Sequence, residues 1–111
     1  MKRPPYIYTV TIGNVKEWYM DGKLHREDGP AVEYDDGDEQ WYIDGELHRL
    51  DGPAVKINGD EEWHLHGKCH RADGPACEYK DGQKLWFWMG KQIICYSDEE
   101  FFKLIKLKAF W

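Results

Sequence analysis

The stretch from Trp41 to Ala54 reads WYIDGELHRLDGPA, and it decides the fold because the chain repeats it. One copy precedes this stretch and another follows it, with Trp, Gly, His-Arg and Asp-Gly-Pro-Ala in the same order. The repeated residues other than the Gly, Pro and Ala of each copy are Trp18, Trp41, Trp63 and Trp86, His25 and Arg26, His48 and Arg49, His70 and Arg71, and Asp28, Asp51 and Asp73. The tryptophans lie 23, 22 and 23 residues apart. A fixed period of this length is the signature of a repeat architecture.

The residues between the repeated positions predict β-hairpins. Asp44-Gly45 and Asn58-Gly59 are dipeptides typical of tight turns, and they are flanked by segments in which apolar and polar residues alternate. Strands joined by such short turns are antiparallel. The sequence therefore predicts a mainly β fold, an antiparallel meander of about three and a half hairpin repeats of 22–23 residues. It also allows a third short strand in each repeat, at residues 23–26 in the first.

The last fifteen residues change period. The segment SDEE at residues 97–100 is a capping box with acidic residues in the first turn, and Phe101, Leu104 and Ile105 mark an apolar helical stripe. We predict an amphipathic helix from about Asp98 to Ala109 that covers the open end of the array. A helix lying on a membrane surface is the alternative.

The chain is thus expected to form a single repeat domain, residues 1–111. Residues 1–96 make the hairpin repeats and residues 97–111 the C-terminal helix.

The turn lengths predict which side chains share a face. If Tyr34 lies on the face of Trp41, it pairs with Glu39 and four residues form the turn between them. The next repeat is one residue shorter, which leaves three residues between Ile57 and Glu61 and keeps the Trp face intact. The predicted Trp face then also carries the Val, Cys, Tyr and Ile of the neighbouring strands. The opposite face carries one aromatic ring per repeat, at Tyr19, Tyr42, His64 and Phe87.

Charge restricts the classes of partner. The net charge is −6, and residues 17–90 contain 18 Asp and Glu against eight Lys and Arg. Such a surface repels phosphate, so nucleic acid and anionic membranes are poor candidates and a protein with a basic surface is a better one.

The N-terminal residues do not resemble a signal peptide, and there is no apolar run of transmembrane length. The three cysteines form an odd set without tight pairing, which suits a reducing compartment. We therefore expect a cytoplasmic protein.

The repeat unit resembles the MORN-type repeats. It is closest to the variant carrying His-Arg-x-Asp-Gly-Pro-Ala that recurs in phage, giant-virus and bacterial proteins of unknown role. The resemblance covers roughly residues 8–91 and implies two main strands per unit in an elongated, twisted meander. It also implies a viral source, and with it the host cytoplasm. Standard MORN units carry His-Gly where this chain has His-Arg, so the resemblance implies the fold more strongly than any lipid or partner binding.

The repeated His, Arg and Asp are expected to be architectural. Catalysis needs one set of reactive groups, whereas a repeat fold needs the same contacts in every unit. His64, His66, Cys69 and His70 crowd together, but each occupies an ordinary repeat position and their spacing matches no zinc motif. We therefore predict no catalytic residues, no metal and no cofactor.

Function is expected to be binding. The aromatic residues Tyr19, Tyr42, His64 and Phe87 form the candidate binding strip, with core packing as the alternative. The favoured hypothesis is a non-enzymatic module for protein–protein interaction, a small viral protein that engages or inhibits a host protein. One alternative is a module that sequesters a small molecule or nucleotide. A further alternative is a structural homodimer formed by pairing of edge strands.

Overall fold

A computed structural model describes residues 5–107 of the chain and shows an antiparallel meander that ends in one helix. The helix, α1, spans Asp98–Leu107, and the predicted continuation through residues 108–109 lies outside the described residues. The strands are β1 (Ile7–Ile12), β2 (Val15–Met20), β3 (Lys23–Leu24), β4 (Val32–Tyr34), β5 (Glu39–Gln40), β6 (Tyr42–Ile43), β7 (Glu46–Leu47), β8 (Val55–Ile57), β9 (Asp60–Glu62), β10 (His64–Leu65), β11 (Lys68–Cys69), β12 (Cys77–Glu78), β13 (Lys84–Trp88) and β14 (Lys91–Ile93). The predicted mainly β fold with a C-terminal helix is confirmed.

The strands follow one another across the sheet in nearly the order of the sequence. The order is β1, β2, β4, β5, β8, β9, β12, β13 and β14, with β3 paired to β2. β6 pairs with β7 and β10 pairs with β11 in two separate two-stranded sheets. The third short strand allowed by the sequence is therefore present, as β3, β7 and β11. The described residues measure 47 × 39 × 17 Å, so the array is flat.

Each tryptophan lies where a strand passes from one hairpin to the next. Trp41 separates β5 from β6, and its N–H donates to the Ala54 carbonyl at 2.7 Å while its carbonyl accepts from the His48 N–H at 3.0 Å. The chain after the hairpin therefore pairs with Trp41 twice, at His48 and again at Ala54, and residues 49–53 loop out between these two contacts. The same two bonds recur at Trp18 and Trp63. Each Arg-x-Asp-Gly-Pro segment is thus a loop inserted into a returning strand.

The pairing register corrects the predicted turn lengths. In the first repeat the Tyr34 N–H donates to the Asp38 carbonyl, so three residues form the turn, not four. In the second, Ile57 pairs with Asp60 across a two-residue turn, not a three-residue one. Asn58 and Gly59 adopt φ of 52° and 87°, the left-handed conformation of a turn whose twist matches its strands. The shorter repeat does have the shorter turn, as predicted, but each of the two turns contains one residue fewer than predicted.

The composition of the two faces is corrected as a result. Val32 pairs with Gln40, the neighbour of Trp41, so the valine lies on the face opposite the tryptophan. Trp41 instead shares its face with Glu39, whose carboxylate accepts a hydrogen bond from the indole at 3.2 Å. We call the face carrying Trp18, Trp41, Trp63 and Trp86 the Trp face. The opposite face, carrying Tyr19, Tyr42, His64 and Phe87, is called the ladder face. It holds the Val, Cys, Tyr and Ile that were predicted beside the tryptophans.

Helix α1 packs on the Trp face at the C-terminal end of the meander. Trp86 has no Arg-x-Asp-Gly-Pro loop after it, and its indole N–H donates to the Asp98 carboxylate at 2.9 Å. Phe101 is fully buried beside it. The other residues of this cluster are Ile93 and Cys95, with Trp88, Leu104 and Ile105 at its edge. The helix thus covers the last tryptophan, as loops cover the first three.

Truncating the buried ring of the helix should destabilise the protein strongly. Phe101→Ala removes a side chain with 0% exposure, and we expect a loss of about 3–5 kcal/mol in the free energy of unfolding. The matched control is Phe102→Ala, because Phe102 is 40% exposed and should lose clearly less. Urea denaturation measures both. Equal losses would mean that α1 does not cover the end of the sheet.

Candidate functional site

An arginine covers the indole ring of each of the first three tryptophans. The Arg49 guanidinium carbon lies 3.9 Å from the centroid of the Trp41 ring, a cation–π distance. Its Nε donates to Asp51 at 3.1 Å and its Nη1 to the Pro53 carbonyl at 3.1 Å. The equivalent stacks of Arg26 on Trp18 and Arg71 on Trp63 measure 4.0 and 4.1 Å. The loop closes on itself because one guanidinium bonds both its Asp and its Pro.

The glycine of each loop leaves room for this guanidinium. A Cβ added at Gly52 would lie 2.6 Å from the Arg49 Cζ, closer than side-chain atoms can approach. At Gly74 the corresponding distance to Arg71 is 3.2 Å. A side chain at Gly52 would therefore displace the guanidinium, whereas at Gly74 a shift of a few tenths of an ångström would make room for one.

The third contact of the arginine differs in the middle repeat. Arg26 donates to Glu33 and Arg71 donates to Glu78, but the equivalent residue of the middle repeat is Lys56. Arg49 lies 3.7 Å from the carboxylate of Glu39 instead. The middle stack therefore forms without the strand carboxylate that supports the other two.

The histidine of each motif joins its repeat to the next one. The Nδ1 atom of His48 accepts a hydrogen bond of 3.0 Å from the backbone N–H of His66, the first residue of the following hairpin turn. His66 has a φ of 46°, and its ring lies 4.4 Å from that of His48. The equivalent bonds run from Asp44 to His25 at 3.0 Å and from Met89 to His70 at 2.9 Å. Each histidine thus fixes a turn residue in the left-handed conformation.

These bonds require neutral imidazoles. Burial lowers the pKa of His48, assisted by the neighbouring His66, and burial also lowers the pKa of His70. A protonated Nδ1 could not accept the turn N–H. The bond from the turn to the histidine, the stack of Arg on Trp, and the bonds from Arg to Asp and to the Pro carbonyl thus recur in all three complete repeats.

Three clefts lie in a row on the Trp face, each beside one tryptophan. The middle cleft has a volume of about 660 Å³, an apolar floor of Trp41 and Ile43, and walls formed by the loops that begin at Arg26 and Arg49. The clefts at Trp18 and Trp63 have volumes of about 490 and 480 Å³. Each repeat contributes two strands to the sheet, and adjacent strands are about 4.8 Å apart. Clefts of neighbouring repeats are therefore about 10 Å apart.

Exposed carboxylates surround the clefts. The side chains of Glu27, Asp28, Asp51 and Asp73 are between 76% and 89% exposed. Three of them accept from an arginine Nε, and at such exposure these ion pairs are weak, so carboxylate oxygens remain accessible at each rim. Glu27 gives the clefts at Trp18 and Trp41 an excess of carboxylates, whereas Arg49 and Arg71 balance Asp51 and Asp73 at the cleft beside Trp63. The position between Arg and Asp varies as Glu27, Leu50 and Ala72, and Leu50 is 77% exposed. The tryptophan is constant in the three clefts, whereas the variable position contributes Glu27 to the first, Glu27 and Leu50 to the second, and Leu50 and Ala72 to the third.

The residues predicted as a binding strip all lie on the ladder face, which α1 does not cover. Tyr19 stacks on Tyr8 at 5.2 Å and its hydroxyl donates to Glu17. Tyr42 and Phe87 are half-buried. His64 is only 7% exposed, so the strip is interrupted at its third position. None of the four residues lines a cleft of the Trp face.

The surroundings of His64 fit a packed polar interior. Its Nε2 lies 3.1 Å from the Glu62 carboxylate, and the Cys69 sulfur lies 3.9 Å from the ring. Burial raises the pKa of Cys69 and raises that of Cys77 to about 12, so both are thiols at neutral pH. Across residues 5–107, no three His, Cys, Asp or Glu side chains are grouped as metal ligands would be.

The clefts were not predicted from the sequence. Their signal was present in the chain, because a variable residue inside an otherwise constant motif marks an exposed position in every copy. No family model, curated protein or solved structure matches the chain. Among the described residues, no helix has the length and apolar character needed to span a membrane.

Crowding the arginine should destabilise its loop. Gly52→Ala places a Cβ against Arg49, and we expect a loss of about 1–3 kcal/mol in unfolding free energy, as for overpacking. Gly74→Ala is the matched control and should lose less, because its Cβ has 3.2 Å of clearance. Chemical denaturation followed by tryptophan fluorescence measures both. A larger loss for Gly74→Ala would contradict the packing argument.

Stability should fall as the pH is lowered through the titration of the linking histidines. In the unfolded chain they titrate near the ordinary pKa of 6.5, and in the folded chain His48 and His70 titrate lower. The unfolded state then binds more protons below pH 6.5, so the melting temperature should drop between about pH 7.5 and about pH 5.5, where most carboxylates stay ionised.

The double variant His48→Asn and His70→Asn keeps a side-chain oxygen that can accept the turn N–H but does not titrate. Its melting temperature should depend less on pH over this range than that of the wild type. An unchanged pH dependence would show that these histidines do not control it.

Proposed function

We propose that this protein is a non-enzymatic module that binds another protein through the three clefts of the Trp face. The observation that carries the proposal is the row of three clefts, each with an apolar floor and exposed carboxylates at its rim, at a spacing of about 10 Å. The polar groups of the repeated motif are already bonded within each repeat, as Arg49 is to Asp51 and Pro53. What remains for a partner is apolar surface and exposed carboxylate.

The chemistry of the clefts favours a basic partner. Lysine and arginine side chains have long apolar stems and charged ends, so they can cover an indole such as Trp41 while the charge reaches Asp28 or Asp51 at the rim. The net charge of −6 would also accelerate association with a basic surface. Because Glu27, Leu50 and Ala72 differ, each cleft would favour a different partner side chain.

A narrower proposal concerns the source of the partner. The His-Arg-x-Asp-Gly-Pro-Ala unit resembles repeats of phage and giant-virus proteins, which supports a viral protein that engages or inhibits a host protein in the host cytoplasm. This part depends on the resemblance alone.

The sequestration of a nucleotide or other small molecule is the second candidate. The middle cleft favours it, because Arg26, Arg49 and His48 line the same 660 Å³ as Trp41. The carboxylates of Asp28 and Asp51 oppose it, because they would repel a phosphate at this cleft.

A charge placed in the middle cleft tests the proposal. Leu50→Arg puts a cation in the cleft without burying it, since Leu50 is 77% exposed, and should abolish capture of the partner through repulsion. Ile94→Arg is the matched control at a 69% exposed position outside the three clefts. Affinity capture from host lysate with the wild type and both variants, followed by mass spectrometry, gives the readout.

We expect basic proteins that are retained by Ile94→Arg, lost by Leu50→Arg and bound more weakly at high salt. An unchanged set of captured proteins for Leu50→Arg would overturn the proposal. A rise in melting temperature with nucleotides, retained or enlarged in Leu50→Arg because the added cation attracts phosphate, would support the second candidate instead.

A further inference from the structure

Strand β1 forms an uncovered edge of the sheet in the described part of the chain. It is the first strand in the sheet order, with β2 on one side and no described strand on the other. Its sequence, IYTVTI at residues 7–12, contains no charge and no proline. Proteins usually protect such edges with lysine, proline or a bulge, because an unprotected edge pairs with other strands. Three exposed apolar residues also lie here, Tyr6 at 60%, Ile7 at 66% and Ile12 at 74% exposure.

The hydrogen bonds between β1 and β2 show which backbone groups point outward. The N–H of Asp21 donates to the carbonyl of Tyr6 at 2.8 Å, so Tyr6 points its backbone toward β2. Alternate residues of a strand bond the same neighbour, so Tyr8, Val10 and Ile12 also point toward β2. The N–H and carbonyl groups of Ile7, Thr9 and Thr11 therefore face the open edge, giving three donors and three acceptors.

This edge is complementary to itself. Two copies of β1 can pair in antiparallel orientation around a two-fold axis that is perpendicular to the sheet and passes beside Thr9. In this arrangement Thr9 lies opposite Thr9 of the second copy, and Ile7 lies opposite Thr11 of the second copy. All three outward-facing residues then lie in hydrogen-bonded positions, and the two edges form six hydrogen bonds.

The side chains fit the same register. Tyr6 lies beside Ile12 of the second copy on the ladder face, so two of the most exposed apolar side chains at the edge cover each other. The central threonines form a favourable cross-strand pair. No charged side chain of β1 opposes another, so the net charge of −6 on each chain is not concentrated at this contact.

We infer that the protein forms a two-fold homodimer through β1, with the register centred on Thr9, so that the two meanders form one continuous sheet. Ile7 of β1 also lines the cleft at Trp18, but the dimer contact uses the outward-facing backbone of β1 and lies outside the clefts at Trp41 and Trp63, so this inference does not depend on the proposed function. In the dimer the Trp faces of both chains lie on the same side of the sheet.

A symmetric cross-link tests the register. In a hydrogen-bonded antiparallel pair, opposite Cα atoms are about 5.5 Å apart, within the range that a disulfide bridges. Thr9→Cys should therefore form a covalent dimer on mild oxidation. Thr11→Cys is the matched control on the same face of the same strand, because its equivalent in the second copy would be four residues away, about 14 Å. The wild type, oxidised in the same way, shows how much cross-linking arises from the native cysteines Cys69, Cys77 and Cys95.

The result expected is a dimer band on non-reducing electrophoresis for Thr9→Cys, with little for Thr11→Cys or wild type. Equal cross-linking of the two variants would overturn the register.

Light scattering after size-exclusion chromatography tests the association itself, using wild type and Thr9→Lys. The substitution places two ammonium groups beside each other across the axis without changing the backbone. Wild type should have twice the 13.2 kDa mass of the chain, and Thr9→Lys should be a folded monomer by circular dichroism.

A monomeric wild type, or a dimer that persists in Thr9→Lys, would overturn the inference. If the wild type is monomeric and loses a captured partner in Thr9→Lys, the edge binds a foreign strand and not a second copy.

Discussion

The structure depends on the stack of an arginine on a tryptophan. In the described residues one large sheet is accompanied only by two two-stranded sheets, so no second extensive sheet covers the indoles and each needs a cover from its own repeat. The guanidinium of Arg49 supplies that cover for Trp41, and its bonds to Asp51 and Pro53 hold the loop in place. Arginine suits this position because a planar, weakly hydrated cation can stack on a ring and still donate in its own plane. The fold therefore uses small local covers where larger domains use a common core.

The same stack explains why the clefts have their character. Once the arginine is bonded, the surface beside each indole is apolar, and the carboxylates that hold the guanidinium remain exposed around it. The residue between Arg and Asp points away from these contacts and is free to vary, as Glu27, Leu50 and Ala72 show. Architecture and candidate binding surface thus come from one motif, with the constant positions serving the first and the variable position the second.

Much of this arrangement could be predicted from the sequence. The period of the tryptophans and the Asp-Gly and Asn-Gly turns predict the meander, and the SDEE segment at residues 97–100 predicts the start of α1. The Val, Cys, Tyr and Ile of the neighbouring strands were assigned to the wrong face because alternation depends on the parity of each turn, and the preference of Asn58-Gly59 for a two-residue turn outweighs the apolar pattern. The bond from His66 to His48 could not be predicted, because it joins residues 18 positions apart through the pitch of the folded array. The clefts depend on the folding of two loops around one indole, which no single segment of sequence describes.

The bonds between histidines and turns also determine how such a chain can grow. Each repeat presents a histidine acceptor on one side and a turn donor on the other, so an inserted copy of 22–23 residues would restore both contacts and leave its neighbours unchanged. Duplication is therefore structurally neutral within the array. Growth ends where Trp86 lacks an arginine and α1 takes its place, so a terminating element, and not the capacity of a core, sets the number of repeats.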